Sequence, residues 1–233
     1  MTQVPSDWPR PALPLRGSSA LFPARRVFCV GRNYADHARE MGSNPDREPP
    51  FFFSKPQDAL VPLGGNVPYP MATKSLHHEV ELVVALGQGG HHIPLDRAMD
   101  HVWGFAVGID LTRRDLQTEA RNTGRPWDMS KGFDASAPIG ALSPLAECGP
   151  MMKGAISLAV NGTLRQTGRL EDMIWPVPDV IAFLSTLMVL QPGDLIYTGT
   201  PAGVGAVVEG DELRAEVEGL EPLVVTIVPG PVL

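Results

Sequence analysis

Leu76-His-His-Glu-Val-Glu-Leu-Val-Val-Ala-Leu86 and Val102-Trp-Gly-Phe-Ala-Val-Gly-Ile-Asp110 are two apolar, strand-like runs edged by carboxylates. Alternation along a strand places residues i and i+2 on one face. Glu79 and Glu81 therefore point the same way, while Val80, Leu82 and Val84 point into a core. Asp110 closes the second run. Like charges side by side repel, and burying them costs more still. A bound cation relieves both penalties, and an oxygen-only ligand set suits Mg²⁺, Ca²⁺ or Mn²⁺ better than zinc. The plainer accounts are a Glu-x-Glu on the wet face of an edge strand, and an Asp110 that caps a helix starting near Thr112.

Outward from these runs the chain reads as many short strands. Its 24 Gly and 24 Pro imply frequent turns. Residues 1–25 are Pro-rich, lack periodicity and read as an extended arm; residues 26–233 read as one catalytic domain. A strand, Arg26 to Val30, leads into a short helix from Asn33 to Met41, with Asn33 as N-cap and Gly42 as C′ residue. Phe51-Phe52-Phe53 is a strand stub broken at Lys55-Pro56. Asp96 to Asp100 reads as a short helix, Thr112 to Asn122 as a polar helix, and 127–140 as an irregular loop carrying Lys131. Asn161-Gly162 is a strong hairpin signal after the strand Ala155–Val160. Val177 to Leu190 reads as an amphipathic helix with Pro178 in its first turn. Leu195–Tyr197 is a strand, Thr198–Gly205 a loop, and the remainder strand pairs. Strands outnumber helices with no βαβ rhythm, so the expected class is β-rich α+β rather than Rossmann or TIM barrel.

Length and composition bound the function. The 233 residues suffice for a sizeable core, and 43% hydrophobic with 19% charged residues describes a globular chain. A net charge of −7 argues against general affinity for nucleic acid or anionic membranes. No apolar stretch is long enough for a transmembrane helix, and no signal-peptide pattern opens the chain. Cys29 and Cys148 lie far apart in no metal-like spacing, which fits reduced thiols and a cytoplasmic protein.

Several clusters can carry chemistry. His37 and Glu40 share a helix face, where a carboxylate orients an imidazole for general-base work; two solvated residues are the plain alternative. His77-His78-Glu79 lacks the second His of a zinc helix motif, since residue 82 is Leu. Gly199–Gly205 lacks the Gly-Lys-Ser/Thr ending of a phosphate loop, although its backbone and Thr200 could grip a carboxylate. Three carboxylates around a divalent cation leave about −1, so an anionic substrate needs added cations; Arg114 and Lys131 are the candidates.

Five segments resemble the fumarylacetoacetate hydrolase family: Val30-Gly-Arg-Asn-Tyr-Ala-Asp-His37, Leu76-His-His-Glu-Val-Glu-Leu82, Gly108-Ile-Asp-Leu-Thr-Arg-Arg-Asp115, Trp127-Asp-Met-Ser-Lys-Gly-Phe133, and Gly193-Asp-Leu-Ile-Tyr-Thr-Gly-Thr-Pro-Ala-Gly-Val-Gly205. The resemblance implies a mixed β-sandwich roll, one Mg²⁺ or Mn²⁺ held by Glu79, Glu81 and Asp110, and a homodimer. It implies a His37–Glu40 dyad that activates water and an active-site Lys131. It places Arg32, Tyr34, Arg114, Gln117 and Thr200 on the substrate side. Asp36 to Gly42 and Pro45 to Pro56 look like bacterial fumarylpyruvate hydrolases, and the single domain also resembles acylpyruvases. The expected activity is hydrolysis of a carbon–carbon bond in a 2,4-dioxo acid, fumarylpyruvate first, in gentisate-type aromatic catabolism. An acylpyruvase, an oxaloacetate decarboxylase and an oxo-acid isomerase or tautomerase are alternatives on the same metal site. Arg47 is a candidate for a distal substrate carboxylate, and the helix at 33–41 for a lid.

Overall fold

Every residue from Val80 to Leu86 is buried, which a strand achieves only when both faces of its sheet are covered. The computed structural model, which describes residues 11–40 and 49–230 without the side chains of Ala38 and Glu40, supplies both covers. The strands in chain order are β1 (Ala12–Pro14), β2 (Leu21–Pro23), β3 (Val27–Gly31), β4 (Phe51–Lys55), β5 (Leu60–Pro62), β6 (Gly65–Pro68), β7 (Leu76–His78), β8 (Val80–Leu86) and β9 (Val102–Ile109). They continue as β10 (Thr112–Arg113), β11 (Ala137–Ile139), β12 (Ser143–Pro144), β13 (Ala155–Val160), β14 (Thr163–Arg169), β15 (Leu195–Tyr197), β16 (Gly205–Val207), β17 (Glu212–Val217) and β18 (Leu223–Val228). The α-helices are α1 (Ala35–Glu40), α2 (Arg114–Thr123), α3 (Asp128–Lys131), α4 (Leu145–Cys148) and α5 (Val177–Leu187).

An eight-stranded sheet runs β4-β3-β15-β8-β9-β11-β5, with β12 paired to β9, and a five-stranded sheet runs β14-β13-β17-β18-β6. Parallel pairs (β15 with β3, β11 with β5, β18 with β6) sit among antiparallel ones, so both sheets are mixed. Leu82, Val84, Phe105 and Val107 face a core shared with Ile156, Leu158, Leu213 and Val225 of the second sheet and Ile181 of α5. Val83, Ala85, Ala106 and Tyr197 face the other way, into a second core with Leu13, Phe22 and Leu142. This is the expected β-rich roll, with one refinement. The face that carries Glu81 is dry, not the wet side of an edge strand.

The segment before residue 26 contributes to that second cover. β1 and β2 pair antiparallel, Leu13, Phe22 and Ala24 are buried, and Phe22 lies 5.2 Å from Trp103 between ring centroids. The hairpin at Asn161-Gly162 forms as read: both residues have positive φ, 50° and 75°, as a type I′ turn requires. α5 carries its proline in the first turn as expected.

Three local expectations are corrected. Asp110 does not cap the next helix: α2 begins at Arg114 after a two-residue strand, and its N-cap Arg113 makes no side-chain cap bond. Asn33 does not cap α1 either, because its amide is committed elsewhere, as described below. The 127–140 loop contains α3 and β11, which bury Lys131 and Ile139. The expected C′ residue Gly42 and the substrate-side candidate Arg47 lie outside the described residues.

Gly108 opposes Glu81 across the β8–β9 pair. A Cβ there would lie 2.5 Å from Val83 Cγ2 and 2.6 Å from the Tyr197 ring, both in a packed core. Gly108→Ala is therefore expected to cost about 1–3 kcal/mol through overpacking. A urea midpoint equal to that of the wild type, at unchanged slope, would show that the core yields there.

Candidate metal and active site

Two strand ends deliver the acidic cluster. Glu79 falls at the break between β7 and β8, Glu81 is the second residue of β8, and Asp110 follows the end of β9. The pairing of Val80 with Ile109, together with Asp110 N donating to Glu79 O at 2.8 Å, brings the three together. One carboxylate oxygen from each lies within 4.8 Å of the others, and the residues are 5%, 2% and 0% exposed.

Buried cations answer these charges. Lys131 Nζ, at the end of α3, donates to Glu79 Oε2 (2.8 Å), Asp110 Oδ2 (2.6 Å) and Thr112 Oγ1 (2.6 Å). An ammonium has three hydrogens, so these bonds use all of them. Lys55, at the end of β4, lies 2.8 Å from Asp110 Oδ1 as an ion contact without hydrogen-bond alignment. Its ammonium donates instead to Leu111 O at 3.0 Å and to Lys131 O. Arg114 pairs with Glu79 and donates to Gln117 Oε1.

These partners split the two glutamates. Burial alone would raise the pKa of Glu79, but Lys131 and Arg114 hold it well below the usual carboxylate range. Burial and the charges of Asp110 and Glu79 push Glu81 well above that range. Against them Glu81 has Lys131 at longer reach and one bond from Gly199 N at 2.7 Å. Burial opposes the charge on Lys131, yet Asp110 and Glu79 keep its pKa above the ordinary lysine value. A buried carboxylate whose own charge is disfavoured, beside two others that share only oxygen donors, fits a hard divalent cation. The cluster can hold one.

His37 of α1 is 6% exposed and lines one cavity with Arg32, Glu79, Glu81, Arg114 and Lys131. Gln117 and Thr200 line the same cavity, as do Arg121 and the aromatic side chains of Phe53 and Trp127. A larger depression of about 570 Å³ shares Arg32, Phe53, Trp127 and Lys131 with it and adds Phe51, Phe52 and Pro126. Asn33, next to the lining residue Arg32, ties the chain after β3 to Trp175 and Thr198. Its Nδ2 donates to Trp175 O (2.9 Å) and Thr198 O (2.8 Å), and its Oδ1 accepts from Trp175 N (2.7 Å). The neighbouring Arg32 sits in the left-handed region, φ 57°, an uncommon setting for a non-glycine residue.

The structure thus gathers most of the residues singled out in the sequence. Tyr34 is the exception: it is buried in the main core, bridged to Met173, with its hydroxyl unpartnered and away from the cavity lining. The Glu40 side chain lies outside the described residues, so the dyad with His37 stays an expectation. Lys131 spends its three hydrogens on Glu79, Asp110 and Thr112 and has none directed at a reacting oxygen. Sequence reading missed Lys55, although it closes the apolar run Phe51–Phe53 much as Asp110 closes its own. With Lys55 included, three carboxylates and three cations cancel formally, so a divalent cation leaves the floor at about +2 rather than the +1 that Arg114 and Lys131 alone would give.

Comparison with known proteins bears on this arrangement. Residues 26–228 match the model of the fumarylacetoacetate (FAA) hydrolase C-terminal family. The crystal structure of fumarylpyruvate hydrolase from Pseudomonas aeruginosa in complex with Mn²⁺ and pyruvate is 51% identical with a TM-score of 0.93, over 94% of this chain and 96% of that one. A fumarylpyruvate hydrolase from Ralstonia is 44% identical over 78% of this chain and 94% of its own length. The human mitochondrial oxaloacetate tautomerase is also 44% identical, over 84% of this chain and 88% of its own length.

Two outcomes test the cluster. Mn²⁺ at 100 times its dissociation constant should stabilise the protein by about 2.7 kcal/mol, seen as a rise in Tm that EDTA reverses. Glu81→Gln should abolish that rise; a full rise in this variant would place the ion elsewhere. Lys55→Met should cost about 3–5 kcal/mol in urea denaturation, because it leaves Asp110 without one of its two cations.

Proposed function

We propose that this chain, which belongs to the fumarylacetoacetate hydrolase family, hydrolyses the carbon–carbon bond of a 2,4-dioxo acid, with fumarylpyruvate as the preferred substrate and fumarate and pyruvate as products. The observation that carries this reading is one cavity with Glu79 and Glu81 on its floor, Asp110 grouped with them, and His37, Arg32, Arg114 and Arg121 on its walls. With a divalent cation added, that cavity is positive enough for a dianion. When bound, Mg²⁺ or Mn²⁺ supplies Lewis-acid polarisation of the substrate oxygens.

The chain's own residues take the remaining roles. Thr200 and Arg114 receive the C1 carboxylate. His37 takes a proton from water, whose oxygen bonds to the C4 carbonyl carbon. The C3–C4 bond then breaks: its electron pair goes to C3, C3 is protonated to give pyruvate, and the acyl carbon leaves as fumarate. One water is consumed and one proton released overall. Lys131 acts as a fixed positive charge beneath the reacting oxygens, since its hydrogens are committed to Glu79, Asp110 and Thr112. The acyl group extends towards the aromatic depression at Phe51, Phe53 and Trp127.

A second reading has a specific basis in the 44% identity to the human oxaloacetate tautomerase. Moving a proton between carbon and oxygen of oxaloacetate needs the same cation and a base placed like His37, but no attacking water.

The deciding assay follows the ultraviolet absorbance of fumarylpyruvate with product identification, with Mg²⁺ or Mn²⁺ and after EDTA. Metal-dependent formation of fumarate and pyruvate is expected, and His37→Ala should lower kcat by about 10²–10⁴-fold while Mn²⁺ binding persists. Interconversion of enol and keto oxaloacetate without any fumarate would transfer the site to the second reading.

A further inference from the structure

β14 is the outer strand of the five-stranded sheet, and Gln166 is its one fully buried residue. A register shift between Leu158 and Ala159 moves the pairing from Leu158–Gln166 to Ala159–Leu164. The irregularity leaves Arg165 without a cross-strand partner between them and turns Gln166 inward, as bulges do. Its amide is saturated. Nε2 donates to Thr200 Oγ1 (2.8 Å) and Pro201 O (2.9 Å), while Oε1 accepts from Val80 N (3.0 Å) and meets His78 Nδ1 (2.9 Å).

The backbone partners fix which end of the amide is which. Val80 N can only donate and Pro201 O can only accept, so the oxygen faces β8 and the nitrogen faces the loop. Two consequences follow. Val80 N lies between Glu79 and Glu81, so the same side chain grips the acidic strand and the loop at 199–201. Thr200 Oγ1 accepts from Gln166, so its hydroxyl hydrogen points elsewhere, and Thr200 lines the cavity. The loop is seated closely on β14: a Cβ on Gly203 would lie 2.2 Å from Arg165 O, and one on Gly168 2.7 Å from Pro201 Cβ.

We propose that Gln166 is a positioning residue that fixes the Thr200 hydroxyl as a hydrogen-bond donor into the cavity and holds it at a set distance from the metal-binding carboxylates. This rests on the reading that a carboxylate-bearing substrate enters this cavity. A hydroxyl free to rotate can offer either a hydrogen or a lone pair. One that already accepts from an amide offers its hydrogen, which suits a carboxylate oxygen.

Gln166→Glu keeps volume and keeps an acceptor for Val80 N and His78, but replaces the donor facing Thr200 with an acceptor. The Thr200 hydrogen should then turn to the new carboxylate and away from the cavity. The probe is oxalate binding to the Mn²⁺-loaded protein by calorimetry, which does not depend on turnover. Gln166→Glu and Thr200→Val should each weaken oxalate by about tenfold or more. Their double variant should be no weaker than either alone, Mn²⁺ affinity should stay within about twofold, and Thr200→Ser should bind as the wild type. Wild-type oxalate affinity in Gln166→Glu, multiplicative losses in the double variant, or parallel loss of Mn²⁺ would each overturn the proposal. If Gln166→Glu does not fold, unchanged oxalate binding in Thr200→Val overturns it on its own. A wild-type protein that turns over fumarylpyruvate while these couplings fail separates the failure of this proposal from that of the proposed function.

Discussion

Three carboxylates buried at one point dominate this molecule, and the surrounding architecture answers them. Carboxylates at this depth stay ionised only with counter-charge close at hand. Lys131 supplies it from α3, Lys55 from the end of β4 and Arg114 from the start of α2. The segment between β9 and β11 therefore folds back over the sheet to bring Arg114 and Lys131 in. The ammonium of Lys55 also ties that segment down through the carbonyls of Leu111 and Lys131. Charge compensation and chain path are one problem here.

The reactive character of the site follows from how unevenly that compensation is shared. Glu79 has two cations and Asp110 has two, whereas Glu81 is bonded to a backbone amide. A cation arriving at this floor meets one carboxylate that gains most from its charge and two that are already ordered. The walls carry Arg32, Arg114 and Arg121 with Phe53 and Trp127, so basic and aromatic side chains surround an acidic floor.

Much of this was legible in the sequence where local pattern and burial agree. Glu79, Glu81 and Asp110 stood out because charges interrupt or close apolar runs, and the Asn161-Gly162 hairpin because its turn needs two positive φ values. What failed did so for reasons of tertiary contact. Asn33 has the chemistry of a helix cap, but Trp175 and Thr198, far along the chain, offer it better partners. Asp110 likewise prefers lysines to a helix end. Lys55 was hidden because Ser54-Lys55 after three phenylalanines looks like the polar stop of a strand. Gln166 was hidden because a lone glutamine in a strand otherwise exposed to solvent carries no periodic signal; only the irregularity in β13–β14 turns it inward.

The ammonium of Lys131, bridging Glu79 and Asp110, has a consequence for the order of events in the life of the protein. Because lysines and an arginine already offset the charges of Glu79 and Asp110, the polypeptide need not wait for an ion in order to collapse. Assembly of the chain and acquisition of the metal become separable, with an internal ammonium keeping two of the ligand side chains in order meanwhile. Such a fold can be complete before its ion arrives, and loading the site is then a later and separate step.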